Sequence, residues 1–249
     1  MKFKQFVFSA TASIAIIIIG LLFVIPASSQ GLKDFVIENF YAQYELTNAD
    51  PQGSLKVVET IELNFSGQNR GILRAIPNTY KSNDIYLDIE KVSRDGIAEP
   101  YITYQKNNNT IVQIGNPELY ITGSHAYQIS YTASNVISFY DNYDELYWDV
   151  NGDQWLQTFN GVKATVNFSA VSTSNKRPIC FTGINGSTNQ NCSTQEEANT
   201  VSYETTRPLN PNESLTFVQS FNKGYFTELN WLERNWGLIV ASPIFMIQL

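Results

Sequence analysis

Residues 54–65 run Ser-Leu-Lys-Val-Val-Glu-Thr-Ile-Glu-Leu-Asn-Phe, directly after the turn-type sequence Asp-Pro-Gln-Gly at residues 50–53. Five apolar side chains of this stretch share one parity: Leu55, Val57, Ile61, Leu63 and Phe65. A repeat of two places alternate side chains on one face of a β-strand, so the stretch predicts a long strand with one face in a core. The turn before it predicts a close connection to an earlier strand.

The same alternation recurs through the middle of the chain. Further apolar sets share one parity within their segments: Val36, Phe40, Ala42, Tyr44 and Leu46; Ile85, Leu87 and Ile89; Tyr127, Ile129 and Tyr131; Leu215, Phe217 and Phe221. Gly, Asn, Asp and Pro separate these segments, as between strands. Many short alternating strands with turn-rich connections predict an all-β fold, an antiparallel β-sandwich, over residues 30–230.

Glu59 has the parity of the apolar residues in its strand and is therefore predicted to face the core. A buried carboxylate must be paired or protonated, because its desolvation is otherwise too costly. Arg70 and Arg74 follow directly after this strand and are the nearest candidate partners. We expect a half-buried structural ion pair that fixes strand register, rather than a catalytic carboxylate.

The chain begins with a segment typical of a secretory signal. Lys2 and Lys4 precede an apolar run over residues 6–25, and the small residues Ala27, Ser28 and Ser29 follow. This pattern predicts a signal peptide over residues 1–29. The run is also close to the ~20 residues that span a bilayer, so an uncleaved anchor is the alternative. In both cases the basic start stays cytoplasmic and the rest is exported.

A second apolar run covers residues 236–249, with Trp231 and Trp236 at its start, where interfacial aromatics are expected. The run is shorter than the ~20 residues that a membrane helix needs. We expect residues 231–249 to be the start of a transmembrane helix that the sequence truncates; an apolar strand, favoured by Pro243, is the alternative. The two ends predict a cell-membrane protein whose main domain lies on the extracytoplasmic side.

Composition narrows the classes of ligand. Acidic residues outnumber basic ones by 23 to 16, a formal net charge of -7, which argues against nucleic acid as a partner. Cys180 and Cys192 bracket a Gly- and Asn-rich segment, and two cysteines in an exported chain predict a disulfide. His125 is the single histidine, which excludes a His-based metal cluster, and no motif predicts a metal site or a cofactor.

Two segments carry a resemblance to a known family: Arg-Gly-Ile-Leu-Arg-Ala-Ile-Pro at residues 70–77, and Asp-Glu-Leu-Tyr-Trp-Asp-Val-Asn-Gly at residues 144–152 followed by Trp155. Ile114-Gly115, Gly123 and the alternation at residues 127–131 fit in the same order. The chain resembles the N-terminal domain of predicted membrane proteins known as the domain of unknown function 2207 family, clearly over residues 35–170. The resemblance implies a signal peptide, an extracytoplasmic β-domain and membrane helices, and it brings no catalytic residues.

Residues 140–155 hold the densest group of polar and aromatic side chains, and three functions compete for them. Glycan binding would use the ring faces of Trp148 and Trp155. A cation site would use alternate oxygens from Asp149, Asn151 and Asp153. Glycoside hydrolysis would use a carboxylate pair, for instance Asp144 with Asp149. The candidate binding residues are Tyr143, Asp144, Trp148, Asp149, Asp153 and Trp155.

Packing is the competing interpretation of the same segment. Leu146, Trp148 and Val150 alternate, which places Trp148 in the core, with a turn at residues 151–152. Trp155, beyond that turn, is the aromatic that we expect to be exposed.

These features together predict non-enzymatic recognition of a protein or a polysaccharide at the cell envelope, by a membrane-anchored domain. The main alternative is an envelope-acting hydrolase that uses carboxylates of residues 141–153. A further alternative is a sensor domain coupled to membrane and cytoplasmic parts.

Overall fold

The structure is a computed structural model, and it describes residues 35–48, 50–81, 83–168, 178–230 and 232–233. The described residues form seventeen strands: Phe35–Thr47 (β1), Ser54–Asn69 (β2), Ile72–Pro77 (β3), Thr79–Tyr80 (β4), Asn83–Asp84 (β5), Tyr86–Arg94 (β6), Ile97–Ala98 (β7), Tyr101–Lys106 (β8), Asn109–Ile114 (β9), Ile121–Ser134 (β10), Ile137–Phe139 (β11), Tyr143–Asp149 (β12), Phe159–Asn167 (β13), Ile179–Gly183 (β14), Cys192–Glu197 (β15), Thr200–Thr205 (β16) and Ser214–Asn222 (β17). The predicted signal segment lies outside the described residues, and so does the predicted membrane segment apart from residues 232–233. Within the described part of the chain, no helix is long and apolar enough to cross a membrane.

The strands form four sheets, which confirms the all-β prediction. The large sheet has the order β15-β16-β13-β1-β2-β10-β6-β7, and the smaller ones are β11-β12-β17-β14, β3-β9-β8 and β4-β5. Pairing is antiparallel in the described strands except between β1 and β13, which are parallel. This one pair departs from the antiparallel prediction. Parallel neighbours need a long crossover rather than a hairpin, and β13 joins β1 after eleven intervening strands.

One face of the large sheet packs against the smaller sheets. Tyr44 of β1 lies edge-on to Phe217 of β17 with ring centroids 5.6 Å apart, and Tyr203 of β16 stacks on Phe217 at 4.8 Å. Phe40 of β1 lies beneath the guanidinium of Arg74 of β3, 5.4 Å from its ring centroid. Full burial of each large apolar side chain contributes about 1.5–3 kcal/mol, so this shared core holds the layers together.

The prediction that Val36 shares the inner face of β1 is wrong. Val36 is exposed, whereas Ile37 and Phe40 are fully buried. The pairing of β1 with β2 shifts register between Ile37 and Asn39, which marks an irregularity of the β-bulge kind. One extra residue reverses the parity of everything before it, so Val36 faces outward.

Candidate functional site

Both tryptophans of the 140–155 segment are core residues. Trp148 is fully buried on β12, with its ring 4.9 Å from that of Tyr80. Trp155 is 4% exposed, and its indole N–H donates to the carbonyl of Asn151 at 2.8 Å. Its ring packs edge-on against Phe159. The prediction that Trp155 is exposed is therefore wrong, because the chain folds back after Gly152, and neither ring presents an open face to a sugar.

The two carboxylates suggested for hydrolysis point to opposite faces of β12. Asp144 alternates with the buried Leu146 and Trp148, is itself fully buried, and accepts a hydrogen bond from the Lys223 ammonium at 2.9 Å. Asp149 has the other parity and accepts a hydrogen bond from the Thr216 hydroxyl. Two carboxylates must flank one bond to cleave it, so Asp144 and Asp149 do not form that pair.

Asp149 is held in a poorly solvated position. Burial raises the pKa of the Asp149 carboxyl above its ordinary value, the Thr216 hydroxyl opposes this shift, and the nearby charge of Asp153 adds to it. Asp153 itself is half-buried and accepts a hydrogen bond from the Gln154 amide at 2.8 Å.

Tyr143, another candidate binding residue, stacks on Tyr140 with ring centroids 4.7 Å apart.

The structure does not join these residues into a cation site. Asn151 is fully buried, and its side-chain oxygen accepts the backbone N–H of Leu215 at 2.9 Å. Its side-chain amide donates to the Glu213 carbonyl at 3.0 Å. Both ends of Asn151 therefore bind backbone, and the side chain fixes the turn to β17. Within the described ranges, no group of three or more His, Cys, Asp or Glu side chains could hold a metal ion.

Glu59 is paired with Arg74 at the centre of the molecule. The Nε and Nη2 groups of Arg74 donate to the two carboxylate oxygens of Glu59 at 2.8 and 2.7 Å, and the Tyr131 hydroxyl donates to Glu59 at 2.8 Å. The remaining N–H groups of Arg74 reach the carbonyls of Ala75, Asn151 and Val150. Both side chains are fully buried rather than half-buried.

The bonds of this pair tie separate parts of the chain together. Burial by itself lowers the pKa of Arg74, and the adjacent Glu59 more than reverses that effect, so the pKa is raised. Arg74 joins β3 of the three-stranded sheet to β2 of the large sheet and to the chain directly after β12. Arg74 keeps its charge, and each of its donors has an acceptor, which is the condition for a tolerable buried ion.

Cys180 and Cys192 form a disulfide. Cys180 lies on β14 of the four-stranded sheet and Cys192 on β15 at the end of the large sheet. The bond therefore closes the loop between them and also links two layers of the fold.

Arg70, the other candidate partner of Glu59, lies elsewhere. It is exposed, its guanidinium donates to the Tyr120 hydroxyl at 2.6 Å, and the guanidinium carbon lies 4.5 Å from the Tyr120 ring centroid. The prediction that Arg70 could pair with Glu59 is wrong. The guanidinium has five N–H donors, and the bond to Tyr120 accounts for one of them.

Arg70 lines a groove of about 750 Å³, which we call the Arg70 groove. Its lining residues are Phe35, Gln68, Asn69, Arg70, Gly71, Ile72, Leu73, Gln113, Ile114, Gly115, Pro117, Tyr120, Gln154, Trp155, Leu156 and Gln157. Parts of both segments that carry the family resemblance meet here, since residues 70–73 and Trp155 line the same space. The lining is apolar and amide-rich around a single cation, and none of the described lining residues is Asp or Glu.

Two glycines in the groove let two antiparallel backbone segments lie very close together, next to the Ile72–Ile114 pair of β3 and β9. A Cβ on Gly71 would lie 1.8 Å from the carbonyl oxygen of Ile114, and a Cβ on Gly115 would lie 1.9 Å from that of Arg70. Both glycines have φ values, 134° and 131°, that other residues rarely adopt. This close approach holds the short link between β2 and β3, which carries Arg70, against the chain that leaves β9 towards Tyr120.

Sequence reasoning missed most of this groove. Tyr120, Gln113, Gln154 and Leu156 carry no motif, and they come together only because three distant segments meet. The available signal was the pair of glycine motifs, Arg70-Gly71 and Ile114-Gly115, since a glycine that cannot be replaced often marks a close approach of backbones.

The chain matches the family described as "Predicted membrane protein (DUF2207) N-terminal domain" over residues 37–221. It belongs to this family. The resemblance based on the sequence motifs is thereby confirmed, and the description of DUF2207 supports a membrane localisation. A curated relative is "Uncharacterized protein YciQ" of Escherichia coli (strain K12), 26% identical over 176 residues. The match covers 67% of this chain and 27% of YciQ, so the chain spans about a quarter of that relative's length.

Two solved structures of enzymes align with this chain at low similarity. Yeast LTA4 hydrolase in complex with bestatin aligns with a TM-score of 0.49 at 10% identity, over 74% of this chain and 28% of the hydrolase. The M1 zinc metallopeptidase of Deinococcus radiodurans aligns with a TM-score of 0.40 at 10% identity, over 75% of this chain and 42% of that one. At these values the likeness carries no argument about the activity of the DUF2207 domain.

Proposed function

We propose that this DUF2207 domain is a non-enzymatic recognition domain of the cell envelope and that it binds its ligand in the Arg70 groove. The observation that carries the proposal is the lining of that groove, which combines one exposed guanidinium, several amides and exposed apolar side chains without a carboxylate among its described residues. Such a lining can hold and orient a ligand, as binding clefts do. It supplies neither the acid nor the base that hydrolysis of a glycosidic bond requires.

The proposal includes the placement of the chain. Residues 1–29 deliver residues 30–230 to the extracytoplasmic side, and residues 231–249 begin a membrane segment. The disulfide between Cys180 and Cys192 supports this side, because disulfides persist in oxidising compartments. The family's description as predicted membrane proteins supports the anchoring.

Co-sedimentation tests the proposal. Isolated cell-envelope fractions of the source organism are incubated with the full chain in three forms: the wild type, Arg70→Gln and Lys91→Gln. The Lys91→Gln variant is the control, because it removes an exposed positive charge of β6 outside the groove. We expect Arg70→Gln to lose binding and Lys91→Gln to keep it, with no soluble fragments released over time. Equal binding by Arg70→Gln would contradict the groove as the site. Steady release of fragments by the wild type would contradict a non-enzymatic role.

A further inference from the structure

The Arg70 groove contains an open strand edge. β3 is the end strand of the order β3-β9-β8, so alternate residues direct their backbone N–H and C=O groups away from β9. Ile72 and Leu73, at the start of β3, line the groove. Among the described residues, no backbone hydrogen bond joins Ile72 or Leu73 to any strand besides β9. Further along β3 the Ala75 carbonyl accepts a hydrogen bond from Arg74 and the strand is buried, so the free part of the edge is its start, at Leu73. An open edge of this kind is a template on which another extended chain can pair.

The side chains around this edge suit an extended polypeptide better than a sugar polymer. Leu73 and Leu156 are 44% and 43% exposed and offer apolar contacts to alternate side chains of a bound strand. The amides of Gln113 and Gln154 both donate and accept, which is what a peptide backbone presents. A sugar ring would need an open aromatic face, yet the Arg70 guanidinium lies over Tyr120 and Trp155 is buried.

Charge specifies the ligand further. Arg70 is the one positively charged side chain among the described lining residues, and none of these residues has a carboxylate that could neutralise it. The chain as a whole carries a formal net charge of -7, so an acidic ligand is repelled by most of the surface and is accepted at this position. A guanidinium held against a tyrosine is well placed to bind a carboxylate through two parallel hydrogen bonds.

From these observations we propose that the groove binds an extended segment of a partner polypeptide, which adds a strand to the β3 edge and presents a carboxylate to Arg70. The backbone pairing supplies affinity and direction, while Leu73, Leu156 and Arg70 select the alternate side chains. This inference rests on the proposed recognition function and names its ligand class.

The test starts from a displayed library of random twelve-residue peptides selected on the immobilised full chain. We expect enrichment of peptides with Asp, Glu or a free C-terminal carboxylate beside alternating apolar residues. A peptide from the enriched set should bind Arg70→Gln about ten- to a hundredfold more weakly than wild type, since a charge-assisted hydrogen bond is lost. Ile102→Glu on the exposed end strand β8 is the control, and its affinity should equal that of the wild type.

Backbone methylation distinguishes strand addition from other contacts. Each amide nitrogen of the selected peptide is methylated in turn. Affinity should fall at the one or two positions that pair with the start of β3 and stay unchanged at their immediate neighbours, because alternate amides of a paired strand point away from the partner strand. A flat profile would overturn strand addition. Enrichment of basic peptides, or equal binding by Arg70→Gln, would overturn the carboxylate.

The outcomes separate this inference from the proposed function. If no peptide is enriched but an acidic envelope polysaccharide co-sediments in an Arg70-dependent way, recognition in the groove stands and the peptide ligand is rejected. If β8 is the required edge, shown by loss of binding in Ile102→Glu alone, the site is wrong. If the wild-type full chain sediments as a dimer and Arg70→Gln sediments as a monomer, the occupant is a second copy and a separate partner is rejected.

Discussion

Removal of the charge of Glu59 should destabilise the domain more than any other single carboxylate change on β2. In Glu59→Gln the shape is kept, but the fully buried Arg74 loses its counter-ion. Breaking a buried pair by changing one partner costs about 3–5 kcal/mol. For a domain of this size that corresponds to a Tm lower by roughly 6–20 °C. Urea unfolding followed by tryptophan fluorescence measures the change, since Trp148 and Trp155 are both buried.

A double-mutant cycle isolates the pair from other effects of the substitutions. Glu59→Gln and Arg74→Met should each lower the free energy of unfolding severely. The double variant should lose clearly less than the sum of the two single losses, since it leaves neither charge without its partner. Glu45→Gln is the matched control, because it makes the same chemical change at an exposed position of β1 and should stay within about 0.5 kcal/mol of the wild type. Additive costs, or an unchanged Tm for Glu59→Gln, would refute the reasoning.

Three further predictions concern stability. Gly71→Ala should lower the free energy of unfolding by several kcal/mol, since a clash with the backbone of Ile114 and a strained φ each cost about 1–3 kcal/mol. Gly96→Ala is the control in the same urea assay: its φ is also positive but the space around it is open, so it should cost clearly less than Gly71→Ala. Asp149→Asn should stabilise the domain at pH 7. Folding raises the pKa of the Asp149 carboxyl, so the wild type loses stability as pH rises from the ordinary pKa of 3.8 through the pKa in the folded domain, and the asparagine variant does not. The gain in stability of Asp149→Asn over the wild type should vanish below pH 3.8, and thermal melts at several pH values measure it. A gain that is the same at every pH would show that the charge of Asp149 is not its cause. Cys180→Ser with Cys192→Ser should cost about 3 kcal/mol from the loop that the disulfide closes, and identical melts with and without reductant in the wild type would contradict this.

The strands were predictable because their signal is local. On β2, Leu55, Val57, Ile61 and Leu63 share one parity that only Glu59 interrupts, and all four are buried as the period of two requires. Glu59 was recognisable as a core position by the same parity. Its partner was not, because Arg70 and Arg74 both follow shortly after the strand and only the parity of β3 directs Arg74 inward.

What the sequence did not predict depends on contacts between distant segments. The bulge that turns Val36 outward shows no local signal, since a register shift depends on the strand opposite. Trp155 was expected to be exposed because it follows a turn, but its N–H is bonded to the Asn151 carbonyl, which turns the ring into the core. The Arg70 groove combines residues from four regions of the chain, at residue 35 and within 68–73, 113–120 and 154–157, and has no sequence pattern of its own.

Hydrogen–deuterium exchange of the full chain, with and without a solubilised envelope fraction, tests the central claim most directly. Recognition in the Arg70 groove predicts slower exchange at the amides of residues 70–73, 113–115 and 154–157 when the fraction is present, and no change for Arg70→Gln. Protection confined to other surfaces, such as the exposed β8, or protection that persists in Arg70→Gln, would contradict it.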